Sequence, residues 1–261
     1  MSTPAAIYTF DNCKVAFQLN WALALFWHDP PDDCGWLAEI QATTEPDGVR
    51  ILKHDLIKPC VSQFLVSTRP EVAPDRIVWS VKGRLQHALQ RQRPKAFRRN
   101  YGLRSIGSAT RDAVEHYVRS QVAHHPMADL RVQDMLREIQ IHDPAVDLRL
   151  PRQNAHAVSW YNLHVCFIND SRCMEIRREP VLRMREMIVK SAVRHEHLLS
   201  EGGIVPDHVH LTLGCNVQES PADVALSYMN NLAYACGMTR AFAFGFYVET
   251  VGEYDLGVTW P

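Results

Sequence analysis

The chain has 261 residues, of which 46% are hydrophobic and 22% are charged, and its net charge is −1 at pH 7. This composition predicts a globular protein of one large or two average domains, and the overall charge does not by itself indicate nucleic acid. The apolar runs are shorter than the roughly 18–20 residues that span a bilayer, and the N-terminus lacks a secretory signal pattern. The seven cysteines are dispersed without a CxxC pair, as in cytoplasmic proteins with reduced thiols. We therefore expect a cytoplasmic protein without membrane contact.

An internal repeat divides the chain. Residues 57–81 (IKPCVSQFLVSTRPEVAPDRIVWSV) align with residues 204–228 (IVPDHVHLTLGCNVQESPADVALSY), and both prolines of the two blocks match. Each block predicts a strand, a loop and a helix that begins near the second proline, which is Pro74 or Pro221. The agreement favours a tandem duplication over chance similarity.

The repeat extends beyond these blocks. A later pair of matching segments, NYGLRSIGS and GFYVETVGE, places Gly107 opposite Gly252. The first strands of the two repeats are predicted at 17–27 and 156–168. Each repeat is read as β-α-β-β-like, which favours an α+β fold with antiparallel sheets.

These boundaries give a domain organisation. The first half is predicted at 1–125 and the second half at 156–261. The polar, proline-containing segment 126–155 is predicted to be the linker, with a short helix at 131–140.

The motif PDHVHLTL places His208 and His210 at alternate positions of a predicted strand. Residues two apart point to the same side of a strand, and two neutral imidazoles can hold one divalent cation. Asp207 is a candidate to orient them, or a simple turn residue. A histidine pair without metal is the alternative, and the matching positions of the first half are Val61 and Gln63.

A helix is predicted in SATRDAVEHYVRSQVAHH, residues 108–125, with cap-type residues at its start. Its buried stripe is formed by Val114, Val118 and Val122. Tyr117 and Gln121 lie one turn apart on an adjoining face, so the phenol and the amide can reach a common point. The alternative is a tyrosine at the edge of the core and a glutamine on the surface.

The segment 81–104 carries eight basic residues and no acidic one. Such a run can neutralise phosphates, although a solvated helix face is the alternative. The candidate DNA-binding residues are Lys82, Arg84, Arg91, Arg93, Lys95, Arg98, Arg99 and Arg104. A second basic segment, 177–194, has apolar residues at helical spacing and predicts the amphipathic helix of the second half.

The motifs PDHVHLTL and YVRSQ, the latter followed by HH, resemble those of the HUH single-domain tyrosine transposases, and in particular the REP-associated tyrosine transposases. The resemblance implies ferredoxin-like halves. It also implies a Mg²⁺ or Mn²⁺ site and a tyrosine that attacks single-stranded DNA and becomes joined to the 5′ phosphate. By this resemblance His208, His210 and Gln121 would be metal ligands, and Tyr117 the nucleophile.

Neither half carries the whole motif set. The first has the tyrosine helix without the histidines, and the second has the histidines without a counterpart of that helix before Pro261, although a longer native chain could restore one. Dimeric members of the family complete each other's sites. The resemblance therefore implies a fused, monomeric pseudo-dimer with a pseudo-twofold axis and one composite active site.

The expected function is metal-dependent nicking and joining of single-stranded or hairpin DNA by a nucleoid-associated cytoplasmic protein. The alternative is a catalytically retired, domesticated protein that binds hairpin or single-stranded DNA without cutting it. A third interpretation is an unrelated α+β protein with an incidental histidine pair.

Overall fold

The computed structural model describes residues 5–28, 30–58, 60–172, 174–237 and 240–253. Over these ranges the chain forms an α+β fold with two six-stranded sheets, which confirms the predicted fold class. Among the described residues, no helix combines the length and the apolar character that a bilayer span requires.

The elements follow one another along the described chain as a repeated pattern of strands and helices. The strands are β1 (Lys14–Gln18), β2 (Asn20–Trp27), β3 (Val49–Lys58), β4 (Val61–Thr68), β5 (Phe97–Ile106), β6 (Ile141–His142), β7 (Arg152–Gln153), β8 (Ala157–Trp160), β9 (Asn162–Asn169), β10 (Leu198–Val205), β11 (His208–Gly214) and β12 (Phe242–Thr250). The helices are α1 (Leu37–Thr44), α2 (Pro74–Val78), α3 (Arg84–Leu89), α4 (Arg111–Arg119), α5 (Gln121–His124), α6 (Leu130–Ile139), α7 (Arg178–His195) and α8 (Pro221–Ala235).

Local sequence signals set several helix ends as predicted. α2 and α8 begin at Pro74 and Pro221, where the missing N–H of proline costs no helical hydrogen bond. The hydroxyl of Ser220 caps α8 by accepting a hydrogen bond from the backbone N–H of Asp223. The helices predicted within the linker and in the second basic segment correspond to α6 and α7.

The two halves share one topology. In the first half β2, α1, β3, β4, α2–α3 and β5 form a sheet core with the order β3-β4-β2-β5. In the second half β9, α7, β10, β11, α8 and β12 form a core with the order β10-β11-β9-β12. Both are βαββαβ units with the ferredoxin-like strand order, and within each core the neighbouring strands are antiparallel.

Each half also donates a strand to the other. β1 of the first half pairs in parallel with β12, and β8 of the second half pairs in parallel with β5. The chain passes from one sheet to the other at Leu19, between β1 and β2, and at Tyr161, between β8 and β9. The complete sheets are therefore mixed rather than purely antiparallel as the sequence predicted, because the exchanged strands add parallel neighbours.

The hydrogen bonds where the strands cross form two matching sets, one from each half, as a pseudo-twofold axis would relate them. A hydroxyl near the end of the last strand of each half accepts a backbone N–H and donates to a backbone carbonyl of the other half. The two sets are Ser105 with Asn162 and Val251, and Thr250 with Asn20 and Ile106. The two glycines that the repeat aligned lie against each other here, since Gly107 N–H donates to the carbonyl of Gly252 at 2.9 Å.

The segment between the predicted halves is structured. It contains α6, and β6 pairs with β10 of the second half, whereas β7 pairs with β8. The carboxamide of Gln140 holds this segment to β10, because it accepts from the N–H and donates to the carbonyl of Ile204. The segment thus lies against the second half over much of its length.

α4, the helix of Tyr117, belongs to the first half but packs on β10 and β11 of the second. Gly203 permits this approach, because a Cβ there would lie 2.8 Å from the carbonyl oxygen of Val118 and 2.9 Å from Cγ of Gln121. Arg119, at the end of α4, forms an ion pair with the buried carboxylate of Glu201. Shape and charge therefore fix this helix on the second sheet.

We predict that Gly203→Ala lowers the free energy of unfolding by roughly 1–3 kcal/mol, because the added methyl group overpacks the contact with α4. Gly83→Ala is the matched control, since a Cβ at Gly83 meets no atom within 4 Å. Chemical denaturation of both variants measures the effect. Equal stability of the two variants would contradict the tight contact.

Candidate active site

The four residues singled out by sequence meet at one place. His208 and His210 project from β11, and Gln121 lies at the start of α5. The amide oxygen of Gln121 lies 3.2 Å from Nε2 of His208, and the ring centroid of Tyr117 lies 5.5 Å from that of His210 in an edge-to-face arrangement. The site is thus composed of groups from both halves.

The helix predicted over 108–125 is interrupted. α4 ends at Arg119, Ser120 leaves helical geometry (φ −89°, ψ 5°), and α5 resumes at Gln121. The N-terminal cap is as predicted, with the hydroxyl of Thr110 accepting from Ala113 N–H. The predicted buried valine stripe is confirmed.

Of the two candidate side chains on this segment, the glutamine is the buried one. Gln121 is fully buried, whereas 44% of Tyr117 is exposed. This is the reverse of the arrangement with a core-edge tyrosine and a surface glutamine. The glutamine contacts the histidines, and the phenol faces solvent beside them.

The hydrogen bonds of His208 direct a lone pair at Gln121. Nδ1 of His208 lies 2.8 Å from the carboxylate of Asp207, so we assign the ring proton to Nδ1. Gln121 donates its Nε2 to the carbonyl of Tyr117, which turns its amide oxygen to His208. With this assignment, two acceptor atoms face each other at 3.2 Å. Two neighbouring ligands of an octahedral ion, each about 2.1 Å from it, are about 3 Å apart, so these residues fit a divalent cation.

A second chain of hydrogen bonds runs from Glu249 through His164 to His210. Nδ1 of His164 lies 2.8 Å from the carboxylate of Glu249, and Nε2 of His164 lies 2.9 Å from Nδ1 of His210. With the His164 proton on Nδ1, His210 donates its own Nδ1–H to His164. Nε2 of His210 then carries the lone pair that a metal ligand requires, and this nitrogen lies 3.7 Å from the Cys166 sulfur. Tyr247 completes the chain by donating its hydroxyl to Glu249.

The electrostatics keep these groups in the required states. Burial, and then the neighbouring His164, His208 and His125, lower the pKa of His210 to about 2, so the ring is neutral. Burial acts to raise the pKa of Glu249, but the hydrogen bonds from His164 and Tyr247 outweigh it and leave that pKa below its ordinary value. A neutral imidazole with an ionised carboxylate behind it suits cation binding.

Sequence reasoning missed His164, Glu249 and Tyr247. A signal was present for His164, since His164 and Cys166 alternate within the predicted strand 156–168 and share its face. Their pairing with His210 depends on strand register, which joins Cys166 to His210 and Glu249 to His164. The sequence pattern does not contain that register.

The candidate DNA-binding residues differ in their surroundings. Lys82 donates to the backbone carbonyls of Arg98 and Arg99, and Arg84 is paired with Asp47. Arg104 stacks on the ring of Trp160 with 4.2 Å from its guanidinium carbon to the centroid.

The remaining members of this set are Arg93, which is paired with Asp32, and the exposed side chains Arg91, Lys95, Arg98 and Arg99. The exposed ones are the cations of this segment that solvent can reach most freely.

The equivalent face of the first half has different chemistry. By strand pairing, Gln63 takes the place of His210, and Ala24 and Ala22 take the places of Cys166 and His164. No set of metal ligands is formed by these residues, in agreement with the sequence. The composite site is therefore built on the second sheet alone.

A further cluster lies elsewhere on the second half. The ligand atoms of His195, His197 and Glu219 all lie within 4.8 Å of one another, and this set can hold a metal ion. Sequence reasoning missed it, because Glu219 is distant in sequence from the two histidines. Alternate histidines in HEH, residues 195–197, were the available signal.

Comparisons with known proteins do not assign the chain. No protein-family model matches it, and no curated protein sequence matches it. A solved structure described as that of a proposed glycine cleavage system transcriptional repressor is 9% identical, over 90% of this chain and 98% of that chain, with a TM-score of 0.24. The fold described above rests on the strand order of this chain.

We predict that the metal-free protein loses stability as the pH falls from 7 to 5. The folded pKa of His210 is depressed to about 2, so the unfolded chain binds the proton first, at about pH 6.5, and the loss grows until the folded pKa is reached. Over this window His210 contributes about 2 kcal/mol. Urea denaturation in the presence of EDTA measures the slope, which should become shallower in His210→Gln. An unchanged slope in that variant would show that His210 is not held neutral.

Proposed function

We propose that the protein is a metal-dependent enzyme that nicks and rejoins single-stranded DNA through a 5′-phosphotyrosine intermediate. The observation that carries the proposal is the contact of Gln121, from the first half, with His208, from the second. The exposed ring of Tyr117 lies next to this contact, against the ring of His210. Nucleophile and ligands thus share one site that neither half forms alone.

The side chains have distinct roles in this reaction. The phenolic oxygen of Tyr117 attacks the scissile phosphorus and forms a P–O bond, and the phenol proton passes to water. The bond to the 3′ oxygen of the preceding nucleotide breaks, and that oxygen leaves as a 3′-hydroxyl after taking up a proton. Attack by a 3′-hydroxyl on the phosphotyrosine reverses the step and joins the strands.

His208, His210 and Gln121 would hold Mg²⁺ or Mn²⁺. Bound there, the ion would polarise the phosphate oxygens and offset their developing charge. Asp207 would direct the Nε2 lone pair of His208 toward Gln121, and His164 would hold the ring of His210 through its Nδ1, while α4 keeps the ring of Tyr117 beside that of His210. Exposure of Tyr117 leaves room for a DNA strand to approach from solvent.

The partner in this proposal is single-stranded or hairpin DNA, bound along the exposed cations of segment 81–104. The two halves of one chain would take the places of the two subunits of a dimer, so the proposed working unit is a monomer. A DNA substrate implies a nucleoid-associated protein of the cytoplasm.

We predict that a pool of labelled hairpin oligonucleotides forms a covalent adduct with the protein in the presence of Mn²⁺ or Mg²⁺. Tyr117→Phe should abolish the adduct, because it removes the attacking oxygen. His208→Ala and Gln121→Ala should slow its formation by about 100-fold or more, since even the partners of metal ligands contribute 10–100-fold. A denaturing gel measures the adduct.

Tyr234→Phe is the matched control, because Tyr234 is an exposed tyrosine of α8, away from the site. It should leave the adduct unchanged. An adduct that persists in Tyr117→Phe would refute the assigned nucleophile. An adduct that forms equally well in EDTA would refute the metal requirement.

We predict that replacing both Arg98 and Arg99 by alanine weakens DNA binding and flattens its salt dependence. The slope of log K against log[salt] should fall by about 0.7 for each lost phosphate contact to a single strand. The double variant Arg131→Ala/Arg137→Ala removes the same charge from α6 and serves as the control. Fluorescence anisotropy at several salt concentrations measures the slopes, and equal slopes in the two double variants would exclude this binding track.

A second candidate function is binding of hairpin or single-stranded DNA without cleavage. It is favoured by one observation, namely that His210 already contacts His164 on one nitrogen and lies 3.7 Å from the Cys166 sulfur on the other. Salt-dependent DNA binding without any adduct would support this candidate over the enzyme.

A further inference from the structure

The cluster of His195, His197 and Glu219 lies far from the proposed nuclease site. His208 begins β11, whereas the cluster lies beside Gly214, at the other end of the same strand. Six residues of extended chain at about 3.3 Å each separate the two ends by about 20 Å. The cluster therefore has no part in the composite site.

The three side chains converge on one point. Nδ1 of His195 and Nε2 of His197 lie 2.8 Å from the two carboxylate oxygens of Glu219, one each. His197 is completely buried as a side chain, while His195 and Glu219 are partly exposed. An ion at this point would be held by three protein atoms and remain open to one water molecule from solvent.

The outward nitrogens of both rings also have partners. Nε2 of His195 lies 3.0 Å from the hydroxyl of Ser227, and Nδ1 of His197 lies 3.2 Å from the hydroxyl of Tyr228. Histidines that bind metals nearly always donate their second N–H to such a group, which directs the lone pair of the first nitrogen at the ion. Burial lowers the pKa of His197, which favours the neutral form that a ligand needs.

The donor set indicates the class of ion. Two imidazoles and one carboxylate suit Zn²⁺ and similar transition metals, whereas Mg²⁺ and Ca²⁺ prefer oxygen ligands. Arg152 lies alongside, bonded to Asn216 and to the carbonyls of Glu196 and Gly214. These bonds hold the loop beside the cluster in place.

The first half supplies an internal comparison. Ser80 is the repeat partner of Ser227, and there its hydroxyl donates to Asp47, which is also paired with Arg84. In each half, a serine of the second helical segment is therefore hydrogen-bonded to the end of the first helix or to the chain just after it. The first half does so with opposite charges, and the second with groups that are all metal ligands or their hydrogen-bond partners.

We infer that His195, His197 and Glu219 bind one Zn²⁺-class ion, which joins the end of α7 and the start of β10 to the loop before α8. The site is separate from the nuclease metal. It stabilises the second half, whose β11 carries His208 and His210.

The test counts zinc in the full chain with the nuclease site disabled. His208→Ala protein is stripped with EDTA, dialysed, and titrated with Zn²⁺ against a chromophoric chelator. We expect one tightly bound equivalent, which disappears in His208→Ala/His197→Ala and in His208→Ala/Glu219→Gln. Ser227→Ala in the same background should weaken binding about 10-fold or more, as expected for a partner of a ligand.

Circular dichroism establishes that each variant is folded before zinc is counted, and His195→Gln replaces any variant that is not. Zinc should raise the melting temperature of the His208→Ala protein but not that of the variants in the cluster. No bound equivalent, or an equivalent retained in folded His208→Ala/Glu219→Gln, would overturn the inference. Because His208→Ala lacks the nuclease ligand throughout, the outcome does not depend on whether the wild-type protein forms a DNA adduct.

Discussion

The candidate site depends on one close contact between the halves, where α4 lies on β10 at Gly203. Without a side chain at this position, the backbone of α4 approaches the sheet closely enough for Gln121 to reach His208. The ion pair between Arg119 and the buried Glu201 then helps to fix the helix, because separating the two would leave His142 as the remaining partner of this buried carboxylate in the described structure. The position of Tyr117, the proposed nucleophile, and the meeting of Gln121 with His208, the proposed ligands, are therefore consequences of the same contact.

Reciprocal strand exchange explains how a helix of one half comes to serve the other. β1 and β8 cross between the sheets, and matching hydroxyls of Ser105 and Thr250 tie the crossing strands together. The chain leaves β5 at Gly107, which is hydrogen-bonded to Gly252 of the other half. α4 therefore starts where the halves meet, and it packs on the second sheet. A pseudo-twofold fold offers two such positions, and the described chain fills the one on the second sheet.

Much of the fold is contained in local sequence signals, and the site only in part. Pro74 and Pro221 mark helix starts, the valine stripe marks the buried face of α4, and alternation places His208 beside His210. The exchanged strands, the break at Ser120 and the chain from Glu249 through His164 could not be predicted in the same way. The strand exchange and the chain from Glu249 depend on which strand pairs with which and in what register, and the break at Ser120 lies where α4 and α5 pack on β10. All three involve contacts between residues far apart in sequence.

The two sheets together indicate why the second carries its buried polar network. At equivalent positions the first sheet has Ala22 and Ala24 where the second has His164 and Cys166, and the same strand order forms in both. Burying imidazoles and a carboxylate costs free energy unless each is hydrogen-bonded, whereas alanine carries no such cost. The fold does not require the network, since the first half is built without it. We therefore relate this network, in which Tyr247, Glu249, His164 and His210 are joined by hydrogen bonds, to the proposed chemistry of the site rather than to stability.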